Sequence, residues 1–271
     1  GWGQDGPLAG AVGHDLNYVA LSGALHAMGR KGEKPAIPLN LVGDFGGGGL
    51  LLAYGMVCAL LEARDSGQGQ VVDAAMVDGA ATLMASTYAA HQVGFWSDER
   101  GTNVLDSGAH FYEVYETADG KYVSIAPVEP QFYAALLAQL GDEAQGMDNQ
   151  WDTASWPAFK AQLADIFRRR TRDEWDSFFA DADICYAPVL SLAEVRHHPH
   201  HRARGTYLED SETWQPAPAP RFSRTPGEIR RPPAEIGAHS REILEEFGFT
   251  AAQVEALLDS GAVKQASEAQ T

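Results

Sequence analysis

Four consecutive glycines, Gly46 to Gly49, interrupt an otherwise apolar stretch that reads VGDFGGGGLLLAYG over residues 42–55. Each glycine in a helix interior costs roughly 0.5–1 kcal/mol relative to alanine. A run of four is therefore typical of a place where backbone must come very close to something else. Together with Asp44, which stands just before it, this run constrains the possible fold more than any other feature of the sequence.

Three interpretations of the glycine run can be compared. Amides at a helix N-terminus can receive a phosphate, but Asp44 disfavours an anion beside it, and the spacing matches neither GxxxxGK[ST] nor GxGxxG. Alternatively, Asp44 is a carboxylate beside a cleft, and the glycines let a substrate lie close. In the third interpretation the glycines pack two helices tightly and Asp44 only caps a helix. The local sequence leaves the last two open.

Two further residues stand where chemistry is possible. His14 comes just before a predicted helix, where the helix dipole disfavours its charged form and favours a base; the alternative is a surface or capping histidine. Glu129 precedes Pro130 at another helix start, where a carboxylate is simply favoured by the dipole. The HHPHH motif at 197–201 fits no zinc spacing and Pro199 breaks its helix, so we expect no metal site.

Composition narrows the classes of partner. The chain has 271 residues, is 45% hydrophobic and carries a net charge of −17. No basic stripe with interleaved aromatic residues is present, which argues against nucleic acid. No apolar run reaches the length of a membrane span, which argues against a membrane. Cys58 and Cys185 are too few and too far apart for a disulfide framework, so we expect a cytoplasmic protein.

Periodicity and turn residues predict a helix-rich α/β segment, a smaller α+β domain and a return to a C-terminal helix. Asp15 is the expected N-cap of the first helix, and the apolar helix that starts at Leu50 is expected to be buried. Asp119-Gly120 predicts a hairpin turn, and the proline-rich stretch 213–233 predicts an irregular linker. The predicted helices lie at 15–30, 50–63, 76–94, 130–140, 155–169 and 172–180, with a short strand at 70–76.

Several long strings occur in a consistent order along the chain. They are GWGQDGP, GHDLNYVALSG, PLNLVGDFGGGGL, GQGQVVDAAMVDG, the run from RGTN through LDSGAHFYEVYETADGKYVSIAPVEPQFY, and GAHSREILEEFGF. Together they resemble the α-methylacyl-CoA racemases, which belong to the family III CoA-transferase superfamily. The resemblance covers nearly the whole chain and is far more specific than a lone glycine motif.

The resemblance implies roles for individual residues. His14 and Asp44 would be the two acid/base residues, on opposite faces of the substrate α-carbon, and Glu129 would partner the histidine. The amide of Asp15 is the candidate donor to the enolate oxygen. No metal or redox cofactor is implied, since CoA is part of the substrate. The stretch that would line the CoA thioester comprises Val12, Gly13, Asp15, Leu16 and Asn17, with Tyr18 nearby.

The implied fold is α/β, an incomplete Rossmann-like large domain plus a smaller α+β domain, in an interlocked homodimer where Glu129 acts on the other subunit. An N-terminal segment that supplies basic residues for the CoA phosphates would be missing, leaving Arg30, Lys31 and Lys34 as weak substitutes. The predicted parts are the large domain (1–90), a linker (91–110), the small domain (111–204), a proline-rich return linker (205–235) and C-terminal helices packing on the large domain (236–271).

Two alternatives remain beside the racemase. In a family III CoA-transferase the residue matching Asp44 would be a nucleophile that forms an acyl anhydride, and no histidine would be needed at position 14. The chain could also be an inactive truncated homologue that keeps the core and binds nothing productively. In both active cases the substrate is an acyl-CoA thioester.

Overall fold

The computed structural model describes residues 1–209, 213–231 and 233–266. The chain divides into two compact units, residues 1–190 and 191–271. The five-part division expected from the sequence stays a prediction.

The first unit begins with a series of helices. They are α1 (Asp15–Leu21), α2 (Ala24–Ala27), α3 (Leu51–Ser66), α4 (Met76–Leu83) and α5 (Ala85–Gln92), and a π-helix, Leu41–Leu50, leads directly into α3. The single helix expected at 15–30 is wrong: Gly23, with a φ of +82°, separates α1 from α2. His14, not Asp15, is the N-cap of α1. The strand expected at 70–76 is also wrong, because these residues join no sheet and α4 begins at Met76.

The glycine run packs helix against helix. A Cβ on Gly79 of α4 would overlap the carbonyl oxygen of Gly47, and a Cβ on Gly47 would lie 2.7 Å from the amide nitrogen of Ala80. The two backbones therefore touch without any side chain between them. Gly48 is similarly confined, since its Cβ would lie 2.9 Å from the carbonyl oxygen of Gly43. Close helix packing, one of the interpretations left open by the sequence, accounts for Gly47, whereas Gly48 is confined by the backbone of its own π-helix.

The helix that follows the glycines is mostly exposed. Tyr54 and Leu60 are 69% and 70% accessible, and Cys58 is exposed as well. The expectation of a buried helix is therefore wrong. Helix Leu41–Ser66 has the length and composition to cross a membrane, contrary to the sequence expectation, but one such helix is weak evidence for a span. The cytoplasmic location stays a prediction.

The second half of the first unit, residues 1–190, is built on an antiparallel sheet. Its hairpin turn was predicted from Asp119-Gly120. Strands β1 (Glu113–Glu116), β2 (Tyr122–Ile125) and β3 (Tyr186–Val189) lie in that order, with Tyr115 opposite Val123 and Val123 opposite Pro188. Gly120 supplies the positive φ of the turn. Three helices occur where they were predicted, namely α6 (Pro130–Leu140), α7 (Trp156–Phe167) and α8 (Arg172–Phe178), and a 3₁₀ turn, Gly141–Ala144, follows α6.

The core lies between this sheet and these helices. Its fully buried side chains include Val123 and Ile125 of β2, Leu136 of α6, Phe167 of α7 and Trp175 of α8. The Phe167 ring stacks on Tyr115 at 5.0 Å between centroids and also contacts Trp175 at 4.9 Å. This packing fixes β1 and the start of α6, and so fixes where Glu113 and Glu129 stand.

A buried histidine lies in a neighbouring aromatic cluster. The hydroxyl of Tyr133 donates to the carbonyl oxygen of Met147 at 2.7 Å, so its oxygen accepts a hydrogen bond from Nε2–H of His110 at 2.8 Å. The ring is therefore the neutral Nε2–H tautomer. Burial, reinforced by the charge of Lys160, lowers the pKa of His110 to about 4.

The second unit contains short elements. A 3₁₀ turn at Val195–His197 precedes α9 (Pro199–Arg204), β4 (Tyr207–Glu209) pairs antiparallel with β5 (Trp214–Pro216), and α10 (Ser240–Glu246) and α11 (Ala251–Asp259) follow. In the proline-rich stretch, the described residues 213–231 and 233 are thus irregular except for β5. Within the described residues, no group of histidine, cysteine and acidic side chains, HHPHH included, is arranged to hold a metal ion.

The contact between the π-helix and α4 predicts a large effect of one methyl group. Gly79→Ala would force two backbones apart, and we expect the free energy of unfolding to fall by about 3 kcal/mol, as for overpacked cores. Urea denaturation measures this change. Gly69→Ala is the matched control, because a Cβ there meets nothing within 4 Å. Equal stability of the two variants would contradict the contact.

The buried histidine predicts a pH-dependent stability. The pKa of His110 is about 4 in the folded chain against 6.5 for an ordinary histidine, so the unfolded chain binds more protons between these values. The free energy of unfolding should fall as the pH falls from 6.5 to 4, by about 3 kcal/mol. His110→Gln keeps a donor for Tyr133 but does not titrate. Its denaturation midpoints should depend less on pH than those of the wild type; identical pH profiles would rule out this role.

Candidate active site

His14 occupies the N-cap of α1. Its backbone is extended (φ −132°, ψ 172°), and its amide donates to the side-chain oxygen of Asn17 at 3.0 Å. The His14 side chain is exposed. Asn17 thus caps the backbone of His14, and the imidazole stands exposed at the start of the helix.

Asp44 lies in the first turn of the π-helix. Its side chain is half-buried, and one carboxylate oxygen accepts a hydrogen bond from the side-chain amide of Asn40 at 3.2 Å. A carboxylate near a helix N-terminus is favoured by the dipole. Asn40 fixes one oxygen and leaves the remaining lone pairs of the carboxylate free to accept a proton.

A single hydrogen bond joins these two places. The backbone amide of Asp44 donates to Oδ2 of Asp15 at 2.7 Å, across 29 residues of sequence. Asp15 follows His14 directly in the chain. The fold therefore brings the backbone of both predicted acid/base residues together at the start of two helices.

Of the six residues predicted to line the CoA thioester, three are exposed, Gly13 is half-buried, and Asp15 and Tyr18 are buried. Val12 is 98% exposed, and Leu16 and Asn17 are also exposed. Tyr18 is instead a core residue, 6% accessible, and packs edge-on against Trp2 at 4.6 Å. Gly13 passes so close to these two rings that a Cβ would lie 3.0 Å from each. Val12, Leu16 and Asn17 thus present exposed side chains around the buried Asp15, next to a ring pair in which Tyr18 is buried and Trp2 is half-buried.

Glu129 is not brought to this strip within one chain. It is the exposed N-cap of α6, and its carbonyl oxygen accepts the amides of Phe132 and Tyr133. In the part of the chain that the structure describes, no hydrogen bond or ion pair joins it to His14 or Asp44. Its proposed role beside the histidine stays a prediction.

Two of the three basic residues considered for the CoA phosphates, Arg30 and Lys31, already have partners. Arg30 forms two hydrogen bonds with the Glu113 carboxylate, at 2.7 and 2.8 Å, and Lys31 pairs with Glu99 at 3.1 Å. A phosphate would have to displace these carboxylates. Arg30 is therefore occupied in joining its segment to β1, while Lys31 makes only a surface ion pair.

Glu113 is a structural residue that sequence reasoning missed. Its side chain is 3% accessible and also pairs with Lys160 at 3.2 Å. Burial alone would raise the pKa of this carboxyl, but the Arg30 hydrogen bonds, the Val114 amide and the Lys160 charge outweigh burial and hold the pKa below its ordinary value. Nothing local in EVYE marks such a site, since its partners lie 83 and 47 residues away.

A cavity of about 690 Å³ lies beside this ion pair, between the segment 27–36 and the β1–β2 hairpin. Arg30 and Glu113 line it along with apolar side chains such as Met28, Met84 and Leu105. Neither His14 nor Asp44 is among its lining residues. The cavity is therefore separate from the paired helix starts that carry the predicted acid/base residues.

Comparison with known proteins identifies the family. Residues 1–240 match the family model described as CoA-transferase family III. The chain belongs to CoA-transferase family III. The family that the sequence motifs predicted is thus confirmed.

Among curated relatives, the chain is similar to alpha-methylacyl-CoA racemase from Mus musculus (45% identity) and from Homo sapiens (43%), each over 94% of this chain and 67% of the relative. Its identity to succinyl-CoA:glutarate CoA-transferase from Mus musculus is lower, 26% over 98% of this chain and 63% of the relative. The chain spans about two thirds of the length of these family members. The similarity to the racemases is clearly the greater.

Solved structures show the same fold. A CAIB/BAIF family protein from Brucella suis superposes with a TM-score of 0.75 at 22% identity, over 91% of this chain and 66% of that chain. A protein from Mycobacterium tuberculosis superposes with a TM-score of 0.67, over 89% of this chain and 64% of that chain. The predicted α/β fold class of family III is therefore confirmed.

Proposed function

We propose that this protein is an α-methylacyl-CoA racemase, an isomerase that inverts the α-carbon of 2-methylacyl-CoA thioesters. The observation that carries the proposal is the hydrogen bond from the Asp44 amide to Asp15, which brings His14 and Asp44 together. The 45% and 43% identities to racemases support it over a transferase. The acyl-CoA substrate is common to these relatives.

The chemistry needs two proton-transfer groups. A proton must leave one face of the α-carbon and another must arrive on the opposite face, because return to the same face gives no inversion. His14, exposed at a helix start, and Asp44, with a partly free carboxylate, supply one group per face. A positioned acid/base typically contributes 10²–10⁴-fold to the rate.

The intermediate enolate oxygen needs hydrogen-bond donors. Asp15 is the first residue of α1, so its amide has no acceptor within the helix. Such amides stabilise a developing negative charge without reorganising. In our proposal this amide faces the thioester oxygen, while the segment from Val12 to Asn17 receives the thioester. No metal or redox group takes part in these steps.

We further propose that the active site is completed across a homodimer. Glu129 is exposed and makes no hydrogen bond or ion pair with His14 among the described residues of its own chain. A second subunit could place its Glu129 beside this histidine. The dimer is interlocked in this proposal, with the segments around 91–110 and 205–235 crossing between subunits.

Separate removal of the two bases tests the reaction. In the full-length protein, His14→Ala and Asp44→Asn should each abolish inversion of 2-methylacyl-CoA. Each variant keeps one base, so in D₂O each should slowly exchange the α-hydrogen of one enantiomer without inverting it, and the two should prefer opposite enantiomers. Proton NMR and chiral chromatography measure exchange and inversion.

The same variants distinguish the transferase. A transferase would keep its acyl transfer after His14→Ala, and hydroxylamine would trap a covalent acyl adduct on Asp44. Either result, or normal inversion without His14, would overturn the two-base racemase.

Mixed dimers test where Glu129 acts. Subunits carrying His14→Ala are co-expressed with subunits carrying Glu129→Gln, under two different tags, and the heterodimer is purified. If Glu129 serves the partner's histidine, one of the two sites is intact and the heterodimer should show about half of the wild-type kcat. If Glu129 acts within its own chain, both sites are defective and activity should stay at the level of the single variants.

A further inference from the structure

The Asp15 carboxylate is buried beside the candidate acid/base pair in an unusual way. The residue is 8% accessible. Its Oδ2 accepts the Asp44 amide, while its Oδ1 is buried and has no hydrogen-bond partner among the described residues. Leaving a buried charged oxygen unsatisfied costs free energy. A carboxylate with only one oxygen bonded contributes little to the stability of the fold. We therefore look for its role in the group that it binds, the Asp44 amide.

The Asp44 amide needs an external acceptor. In a π-helix each amide bonds five residues back, as the Phe45 amide does to Asn40 at 3.3 Å. The corresponding acceptor for Asp44 would be Leu39, which lies outside the helix and has a φ of +56°. The first amides of a helix are unsatisfied from within. The Asp15 carboxylate therefore caps the π-helix from a distant part of the chain, and its charge complements the helix dipole.

The hydrogen bond between Asp15 and Asp44 requires glycine at position 43. A Cβ on Gly43 would lie 2.5 Å from Oδ2 of Asp15, so any other residue would push the carboxylate away. Gly43 itself is buried, like Asp15. The peptide that links Gly43 to Asp44 is thereby held against α1 by a short charge-assisted bond.

We propose that Asp15 is a positioning residue that sets the Asp44 carboxylate relative to His14. Asp15 is joined to His14 by the peptide bond, and its side chain accepts a hydrogen bond from the Asp44 amide. Movement of either helix start is therefore transmitted to the other. Two bases acting on one carbon must hold their geometry closely, and a displacement of about 1 Å can cost 10²-fold in rate. This inference rests on the proposed racemase function and assigns the side chain of Asp15 a role separate from that of its amide.

Substitutions at two positions test this role in the full-length protein. Asp15→Ala should lower kcat for racemisation about 100-fold, while KM for 2-methylacyl-CoA changes less than about threefold. Asp15→Asn should recover much of the rate, because a carboxamide oxygen can still accept the Asp44 amide. Gly43→Ala should resemble Asp15→Ala, since it displaces the same oxygen.

A matched control separates position from stability. Asp73 also accepts a distant backbone amide, that of Gln4 at 3.0 Å across 69 residues, but on the surface. Asp73→Ala should therefore leave kcat within about twofold of the wild type. A loss of kcat in Asp73→Ala equal to that in Asp15→Ala would overturn the proposal, as would wild-type kcat in Asp15→Ala.

Hydrogen–deuterium exchange gives a readout independent of activity. In Asp15→Ala the amide of Asp44 should exchange at least tenfold faster, while the amides of β2 and α6 should be unchanged. Faster exchange throughout the chain, or no change at Asp44, would contradict the positioning role. If the wild type exchanges no α-hydrogen of any 2-methylacyl-CoA, the racemase proposal fails. The exchange rate of the Asp44 amide in Asp15→Ala still shows, independently, whether Asp15 holds that amide in place.

Discussion

The contact of two glycine backbones, Gly47 in the π-helix and Gly79 in α4, is the constraint on which the N-terminal part of the structure depends. It brings the two backbones into direct contact, with no room for a side chain between them. With that distance fixed, the start of the π-helix lies against α1, and Asp15 can reach the Asp44 amide. The geometry of the candidate site therefore depends more on these glycines, which have no side chain, than on the polar residues around it.

Much of the site could be predicted because it is local. The helix starts at His14 and Glu129 and the hairpin turn at Gly120 follow from short-range rules of capping and turn geometry, and long motif strings indicated the family. The expected Asp15 cap was wrong by one residue because Asn17 supplies the capping oxygen. The strand expected at 70–76 was wrong because a β-branched pattern there finds no neighbouring strand to bond.

The features that could not be predicted depend on contacts between residues far apart in the sequence. The ion pair of Arg30 with Glu113 joins residues 83 positions apart, and no periodicity reports such a pair. Burial of the helix after Leu50 was inferred from its apolar composition, but composition does not say which neighbour covers a face. The link from Asp15 to Asp44 belongs to the same class: each residue was noticed, and only the fold shows that one holds the other.

In the π-helix, the number of glycines matters as well as their identity, because it sets the orientation of Asp44 relative to Asp15. A residue added to or removed from a helix turns everything on one side of the change by a large part of a turn about the axis, about 100° in an α-helix. Loss of one glycine from the run would therefore rotate Asp44 away from Asp15 while leaving the composition of the segment almost the same. In evolution such a run should tolerate exchange among small residues at its exposed positions more readily than any change in length.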